Sequence, residues 1–230
     1  MTEHIDKTYD PYDDHTQPPH RVPGYERTFK RTPDAPLIVR PLTLTERTGP
    51  TGLARRLPAD RADLTRRTPD RPRALGPRIA VHGRIVDEDG TPVPGALVEI
   101  WHANASGKYI HEDDAFDAPL DPHFPGSGRV LTNADGGFLL TTIKPGPYRA
   151  APGSWRAPHI HFSIVGPSFM DRMVTQMHFP GEMLNEYDQI LNAVQDPEAR
   201  SRLIAEALPP DEETGDALTY HHTIVLRGHV

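Results

Sequence analysis

Prolines and glycines, 26 and 18 of them in 230 residues, leave few stretches in which an α-helix could run for several turns. Proline removes a backbone donor and clashes with the preceding turn, and glycine costs ordering entropy. The chain is still 36% hydrophobic, so its core must be assembled from short extended segments joined by turns. From Arg78 onward the sequence follows that grammar. Ile79, Val81 and Ile85 alternate with Ala80, His82 and Arg84 before a turn at Asp87-Glu88-Asp89-Gly90. Ala96 to Trp101, Arg129 to Thr132, Phe138 to Ile143, His159 to Val165, Met173 to Phe179 and Tyr220 to Leu226 repeat the pattern, with Asn133-Ala134-Asp135-Gly136-Gly137 as a further turn. Seven short strands separated by turn signals predict a mainly β protein, an antiparallel β-sandwich over 76–230. One short helix is signalled near the C-terminus, with Asp196 as N-cap, Pro197 at its first position, and Ala199, Leu203, Ala207 and Leu208 on one face.

Residues 1–75 carry neither period and read as an extended, proline-rich N-terminal arm and linker. Pro36-Leu37-Ile38-Val39 and Leu42-Thr43-Leu44 give the arm apolar surface with which to dock on a core or a partner. Seven arginines between Arg55 and Arg73 are interspersed with Asp60, Asp63 and Asp70, the mark of a solvated linker rather than a nucleic-acid patch. A net charge of −7 also argues against phosphate backbones and anionic membranes as partners. The first residues show no basic-then-apolar signal pattern and no apolar run is long enough to span a bilayer, so a soluble, cytoplasmic protein is expected. With no cysteine, disulfides, thiolate metal sites and a cysteine nucleophile are excluded, and any metal must be held by nitrogen and oxygen.

The most informative segment for chemistry is Trp155-Arg156-Ala157-Pro158-His159-Ile160-His161-Phe162. Within a strand, His159 and His161 project from one face, one pleat apart, which is a chelating spacing. In a chain with 13 His that spacing also arises by chance, and two structural or solvent-facing histidines are the competing reading. His221-His222 has the wrong parity for a shared face and is expected at the surface; His102, His111 and His123 are expected to be structural or solvent-facing. If His159 and His161 do bind a metal, Asp, Glu, Tyr or water must complete the site. Tyr109, after Ala105-Ser106-Gly107-Lys108, and Tyr148, after Lys144-Pro145-Gly146-Pro147, are presented by constrained turns at strand ends. A phenol with a pKa near 10 becomes a ligand at neutral pH only beside a strongly acidic cation, so two tyrosinates point to Fe(III). Two rim aromatics with wet hydroxyls are the alternative.

Four ordered motifs carry a resemblance. Val98 to Tyr109, Ala118-Pro119-Leu120-Asp121-Pro122, Thr142 to Tyr148, and Trp155-Arg156 with His159-Ile160-His161-Phe162 are similar to the intradiol ring-cleaving dioxygenases. Pro23-Gly24-Tyr25, Pro36-Leu37-Ile38, Leu42 to Pro50 and Ile224 to Gly228 fit best the β chain of the members that cleave protocatechuate. The likeness extends from about Pro18 to near the end of the chain. It implies one non-haem Fe(III) per chain, with Tyr148 and His159 as axial ligands and Tyr109 and His161 as equatorial ones. It further implies that Arg156 stabilises negative charge on the substrate, that Gln176 stands beside the iron, and that Tyr25, Trp101 and Ile190 shape the substrate pocket.

The reaction implied inserts O2 between the two hydroxylated carbons of protocatechuate, giving 3-carboxy-cis,cis-muconate in aromatic breakdown by the β-ketoadipate route. Tyr148 acts there as ligand first and proton acceptor second. No Gly-rich nucleotide fingerprint is present, consistent with a reaction that needs no organic cofactor. An α subunit of similar fold is implied as partner in an αβ hetero-oligomer, helping to form the pocket. The chain departs from well-known members at Arg149-Ala150, where a tryptophan is usual, at His178 in place of tyrosine, and at His102 in place of glutamine. These changes leave open an intradiol enzyme for another catechol; a non-catalytic sandwich serving as scaffold or binding subunit is the remaining alternative.

Overall fold

The structure, a computed structural model, describes residues 18–35, 38, 61–166 and 172–226. Among these residues ten strands are present: β1 Arg78–Val86, β2 Leu97–Trp101, β3 Ser127–Leu131, β4 Gly137–Ile143, β5 Tyr148–Ala151, β6 Ser154–Arg156, β7 His159–Val165, β8 Met173–His178, β9 Glu206–Leu208 and β10 Leu218–Val225. Two four-stranded sheets, ordered β4-β1-β10-β9 and β3-β2-β7-β8, pack face to face, and β5 and β6 form a separate hairpin. All seven strands expected from the alternation are there.

Alternation decides which side chains fill the space between the sheets. Ile79, Val81 and Ile85 of β1, Val98 and Ile100 of β2, Ile160, Phe162 and Ile164 of β7, and Tyr220 and Ile224 of β10 all join one buried cluster. Opposite Gly83 on β1 lies Phe138 of β4, and a β-carbon at position 83 would fall inside the Phe138 ring; the ring uses the volume that glycine leaves empty. Leu64 is fully buried in the same cluster, and its amide donates to the Thr141 carbonyl (2.8 Å), so this segment packs on the sandwich. Val22 and Tyr25 are buried against Ala193, Ala150 and Ile190. The apolar stretches at 36–39 and 42–44 lie outside the described residues, except for Ile38, which is exposed. Residues 227 and 228 lie outside them as well.

Four expectations are corrected. β1 and β10 run parallel, Ile79 opposite Leu218 and Val86 opposite Val225, whereas the other strand pairs are antiparallel. The helix, α1, spans only Pro197–Ser201. Asp196 caps it, accepting from the Glu198 amide (2.9 Å). The backbone beyond is captured by strand edges: His178 N donates to Leu203 O (2.7 Å), and Ala205 N donates to His178 O (2.9 Å). Ala207 and Leu208 belong to β9 on the edge of β10, held extended ahead of Pro209-Pro210. The β5–β6 hairpin stands between Ile143 and His159, where the alternation signals no strand. Finally, His222 is not at the surface; it is 4% exposed and stacks near Phe162 between the sheets.

His102 is buried too. Its Nδ1 donates to the Ala103 carbonyl (2.7 Å) and its Nε2 accepts from the Thr142 hydroxyl (2.9 Å). Burial pushes both His102 and His222 down to about 4 from an ordinary 6.5, so both are neutral in the fold, whereas the unfolded chain protonates them near 6.5. Below that pH the unfolded chain holds more protons, and stability falls with falling pH.

Two outcomes follow for metal-free protein. Its Tm, followed by circular dichroism, drops as pH falls from 6.5 toward 4, and drops less steeply in His222→Asn; a Tm level through that window would refute the neutral buried imidazoles. Gly83→Ala costs about 1–3 kcal/mol in urea unfolding through overpacking, and Phe138→Ala in the same chain recovers part of it.

Candidate metal centre

Because Ile160, Phe162 and Ile164 point into the sandwich, His159, His161 and Ser163 must point outward from the sheet. Register then sets their neighbours. His161 lies between Trp101 of β2 and Gln176 of β8, while His159 lies opposite His178. Trp101 stacks on His161 with ring centres 4.8 Å apart and planes within 5°. The two imidazole Nε2 atoms stand 3.2 Å apart.

The tyrosines arrive on two loops locked to each other. Asn104 Oδ1 accepts from the amides of Ser106 and Lys108 (2.9 and 3.0 Å), and the Asn104 carbonyl accepts from both Gly107 and Gly146 (2.9 Å each). Gly107 has φ +82°, and a β-carbon there would collide with the Pro147 carbonyl; the Ser106-Gly107-Lys108 turn thus lies directly against the loop that ends in Tyr148. Asp114 fixes the far side, accepting from Tyr109 N (2.8 Å). The two phenol rings meet edge to face at 5.4 Å. Tyr109 Oη lies 3.4 Å from His159 Nε2, and the Tyr148 and His159 ring centres are 5.7 Å apart.

The hairpin brings Arg156 in. Tyr148 and Arg156 are paired across β5 and β6, and the turn is Pro152-Gly153, Gly153 having φ +77°. Arg156 is 3% exposed and Asp188 is fully buried. Arg156 Nε donates to both Asp188 oxygens (3.1 and 3.0 Å), and Nη2 donates to Gln176 Oε1 (2.6 Å). The Asp188 carboxylate also accepts from the amides of Ala157, Ile190 and Leu191 (2.9, 3.0 and 3.1 Å). Asp188 was not singled out from the sequence. Its signal was local, an Asp two residues ahead of Ile190 at the start of a turn, but the pairing with Arg156 spans 32 residues.

Electrostatically the four candidate donors are neutral groups beside one fixed cation. Burial, then the nearby Tyr148, raises Tyr109 well above the ordinary phenol value; burial also raises Tyr148, against the pull of Arg156. Burial and then Arg156 push His161 to about 3 and His159 well below its ordinary value. Burial opposes the Arg156 charge, but the Asp188 carboxylate outweighs it and holds the guanidinium protonated.

This arrangement fits a metal. His159 Nδ1 donates to the Ala157 carbonyl (2.7 Å), which leaves a lone pair on Nε2 aimed at His161 and Tyr109. Two nitrogens bound at about 2.1 Å to a common cation, roughly at right angles, stand about 3 Å apart, which is the spacing found. Tyr109 and Tyr148 stand beside the two imidazoles, and the phenols are what would complete this donor set. Two phenolates and two neutral imidazoles suit a hard, highly charged ion.

A cleft of about 530 Å³ opens beside these groups, bordered by Tyr25, Tyr148, Arg156, His161, Gln176 and Ile190, with Arg27 and Lys30 also on its wall. Trp101 is not on that wall; it lines a neighbouring cleft with Tyr109, Tyr148 and Arg149. The Tyr25 ring lies 5.9 Å from the Arg156 guanidinium carbon. His178 packs against His159, ring centres 5.5 Å apart, and its buried Nδ1 has no partner among the described residues. Among them, too, no helix is long and apolar enough to cross a membrane.

Comparison with known proteins places the whole chain. The family model described as "Dioxygenase" matches residues 48–228. The chain is 44% identical over 220 residues to the protocatechuate 3,4-dioxygenase beta chain of Burkholderia cepacia, covering 95% of this chain and 93% of that one. It is 32% identical over 160 residues to the protocatechuate 3,4-dioxygenase alpha chain of Pseudomonas putida, covering 69% and 75%. The crystal structure of 3-chlorocatechol 1,2-dioxygenase from Rhodococcus opacus 1CP aligns with a TM-score of 0.56 at 25% identity, covering 73% of this chain and 65% of that one. With one family model over most of its length and so similar a relative along nearly all of it, the chain belongs to the intradiol dioxygenase family.

Proposed function

We propose that this chain is the iron-bearing subunit of an enzyme that cleaves protocatechuate between its two hydroxylated carbons, adding both atoms of O2 to give 3-carboxy-cis,cis-muconate. The observation that carries the reading is the convergence of Tyr109 Oη, His159 Nε2 and His161 Nε2 beside Tyr148, with a buried, charge-balanced arginine at the same cleft. Tyr109, Tyr148, His159 and His161 are the residues that would hold Fe(III). When bound, the ion supplies the Lewis acidity that makes the phenols and the catechol acidic and opens the ring to O2. The residues do the rest. Tyr148, at the mouth of the cleft, takes a proton from a substrate hydroxyl at its phenolate oxygen. Arg156, unable to lose its proton, faces the negative charge that develops on the ring oxygens. Gln176, held by Arg156 Nη2, keeps that guanidinium beside His161, and Tyr25 and Ile190 wall the aromatic ring.

An αβ hetero-oligomer is the proposed assembly, supported by likeness to both chain types of one enzyme. The segment around Tyr25, packed against Ala193 and Ile190, closes one side of the pocket.

Two measurements test the reading. Co-purified with its α partner, the protein carries about one iron per chain and shows a broad visible band, the signature of phenolate bound to ferric iron, which shifts when protocatechuate is added without oxygen. An iron-replete but colourless protein would remove Tyr109 and Tyr148 as ligands; a band unmoved by protocatechuate but moved by another catechol would reassign the substrate. In Arg156→Ala, kcat falls about 100-fold, equivalent to about 3 kcal/mol of lost charge stabilisation, while iron content holds; parallel loss of both would count against this role for Arg156.

A further inference from the structure

We infer that Asp188 is a positioning residue that aims the Arg156 guanidinium at the substrate cleft. The inference rests on the function proposed above and extends it to a residue outside the ligand set. Arginine has a planar fork of donors, and its usefulness depends on which edge is presented. Here the Nε edge is taken by both Asp188 oxygens and Nη2 by Gln176. Among the described residues Nη1 has no side-chain or backbone acceptor, and Arg156 borders the cleft. The clamp turns the inner edge of the fork away and leaves the outer edge for the substrate.

Asp188 cannot itself swing. Its carboxylate accepts from the amides of Ala157, Ile190 and Leu191 as well as from Arg156, so every rotation would break several bonds inside a fully buried site. Two of those amides matter beyond anchoring. Ala157 offers its carbonyl to His159 Nδ1, and Ile190 borders the cleft. One carboxylate thus sets the cation, the residue that orients a candidate ligand, and a wall of the pocket in one frame. Stability alone is a poor account of this pair. An ion pair this deeply buried gains little over apolar residues of the same size, since both charges must leave water.

The test is a double-mutant cycle read in two ways. In iron-loaded enzyme Asp188→Asn lowers kcat about 10- to 100-fold with iron content retained, the loss expected of a misplaced catalytic group. In an Arg156→Gln background the same change leaves kcat within about twofold, because Asp188 acts through Arg156. Equal losses in both backgrounds, or no loss in either, would overturn the inference. In the iron-free protein the Arg156 Nε–H signal in ¹H–¹⁵N NMR exchanges slowly with solvent and loses that protection in Asp188→Asn; protection that persists would also overturn it. The double variant leaves no buried charge unpaired, which removes the largest cost of breaking the pair. Should Asp188→Asn alone fail to fold, Asp188→Glu, which keeps the charge and shifts the guanidinium, replaces it in the same cycle. Failure of the proposed function would show in the unsubstituted protein, as an enzyme colourless or inert toward catechols, and the NMR measurement decides on the clamp in either case.

Discussion

The parity of β7 is the constraint on which the site depends. Ile160, Phe162 and Ile164 enter the core cluster, and a shift of one residue would turn His159, His161 and Ser163 into the space between the sheets and take three large apolar side chains out of it. The hydrophobic effect therefore fixes the direction of the two imidazoles before any metal is considered. At about 25 cal/mol for each Å² of apolar surface buried, three such side chains strongly favour this register over its one-residue slip. The cost is borne by the polar face, where His159 is pressed into a buried position and stays neutral. A neutral imidazole with its lone pair exposed to a fixed neighbour is already in the state that metal binding requires.

The tyrosines are placed by a different mechanism. No strand periodicity fixes Tyr109 or the approach to Tyr148; hydrogen bonds around Asn104 and the close contact of Gly107 with Pro147 do so. One half of the donor set is thus positioned by packing and the other half by a polar lock between loops. Burial raises both phenols, so without a cation the lock holds neutral donors, and the phenolate form depends on the ion that it would bind.

How much of this was legible follows the same division. The seven strands could be read because alternation is a local property of the chain, and His159 and His161 could be paired because their spacing is local. Tyr109 and Tyr148 could be marked as turn-borne, but their meeting depends on two loops 39 residues apart, and the family resemblance rather than the spacing tied them to the histidines. The hairpin of β5 and β6 has a legible turn in Pro152-Gly153, but Tyr148-Arg149-Ala150-Ala151 shows no alternation to mark its strands. The apolar spacing runs past the end of the helix: Ala207 and Leu208 fit its apolar face, and only the long-range capture of the backbone at His178 and β10 draws them away. The pairing of Asp188 with Arg156 spans 32 residues and has no local signal, whereas the inward turn of His222 follows from its parity with Tyr220 and Ile224 on β10.

The parallel pairing of β1 with β10 also orders events during synthesis. β1 lies at the centre of its sheet with β4 on one side and β10 on the other, and Ile79 meets Leu218. A nascent chain can form β1 with β4 early, but that sheet keeps an open edge, and its share of the core stays uncovered, until the segment that carries β10 has left the ribosome. The sandwich therefore closes late, around a contact of very large sequence separation, and a ribosome stalled before residue 218 would display an apolar, half-paired sheet. The sheet that carries β1 is complete only once β10 has docked.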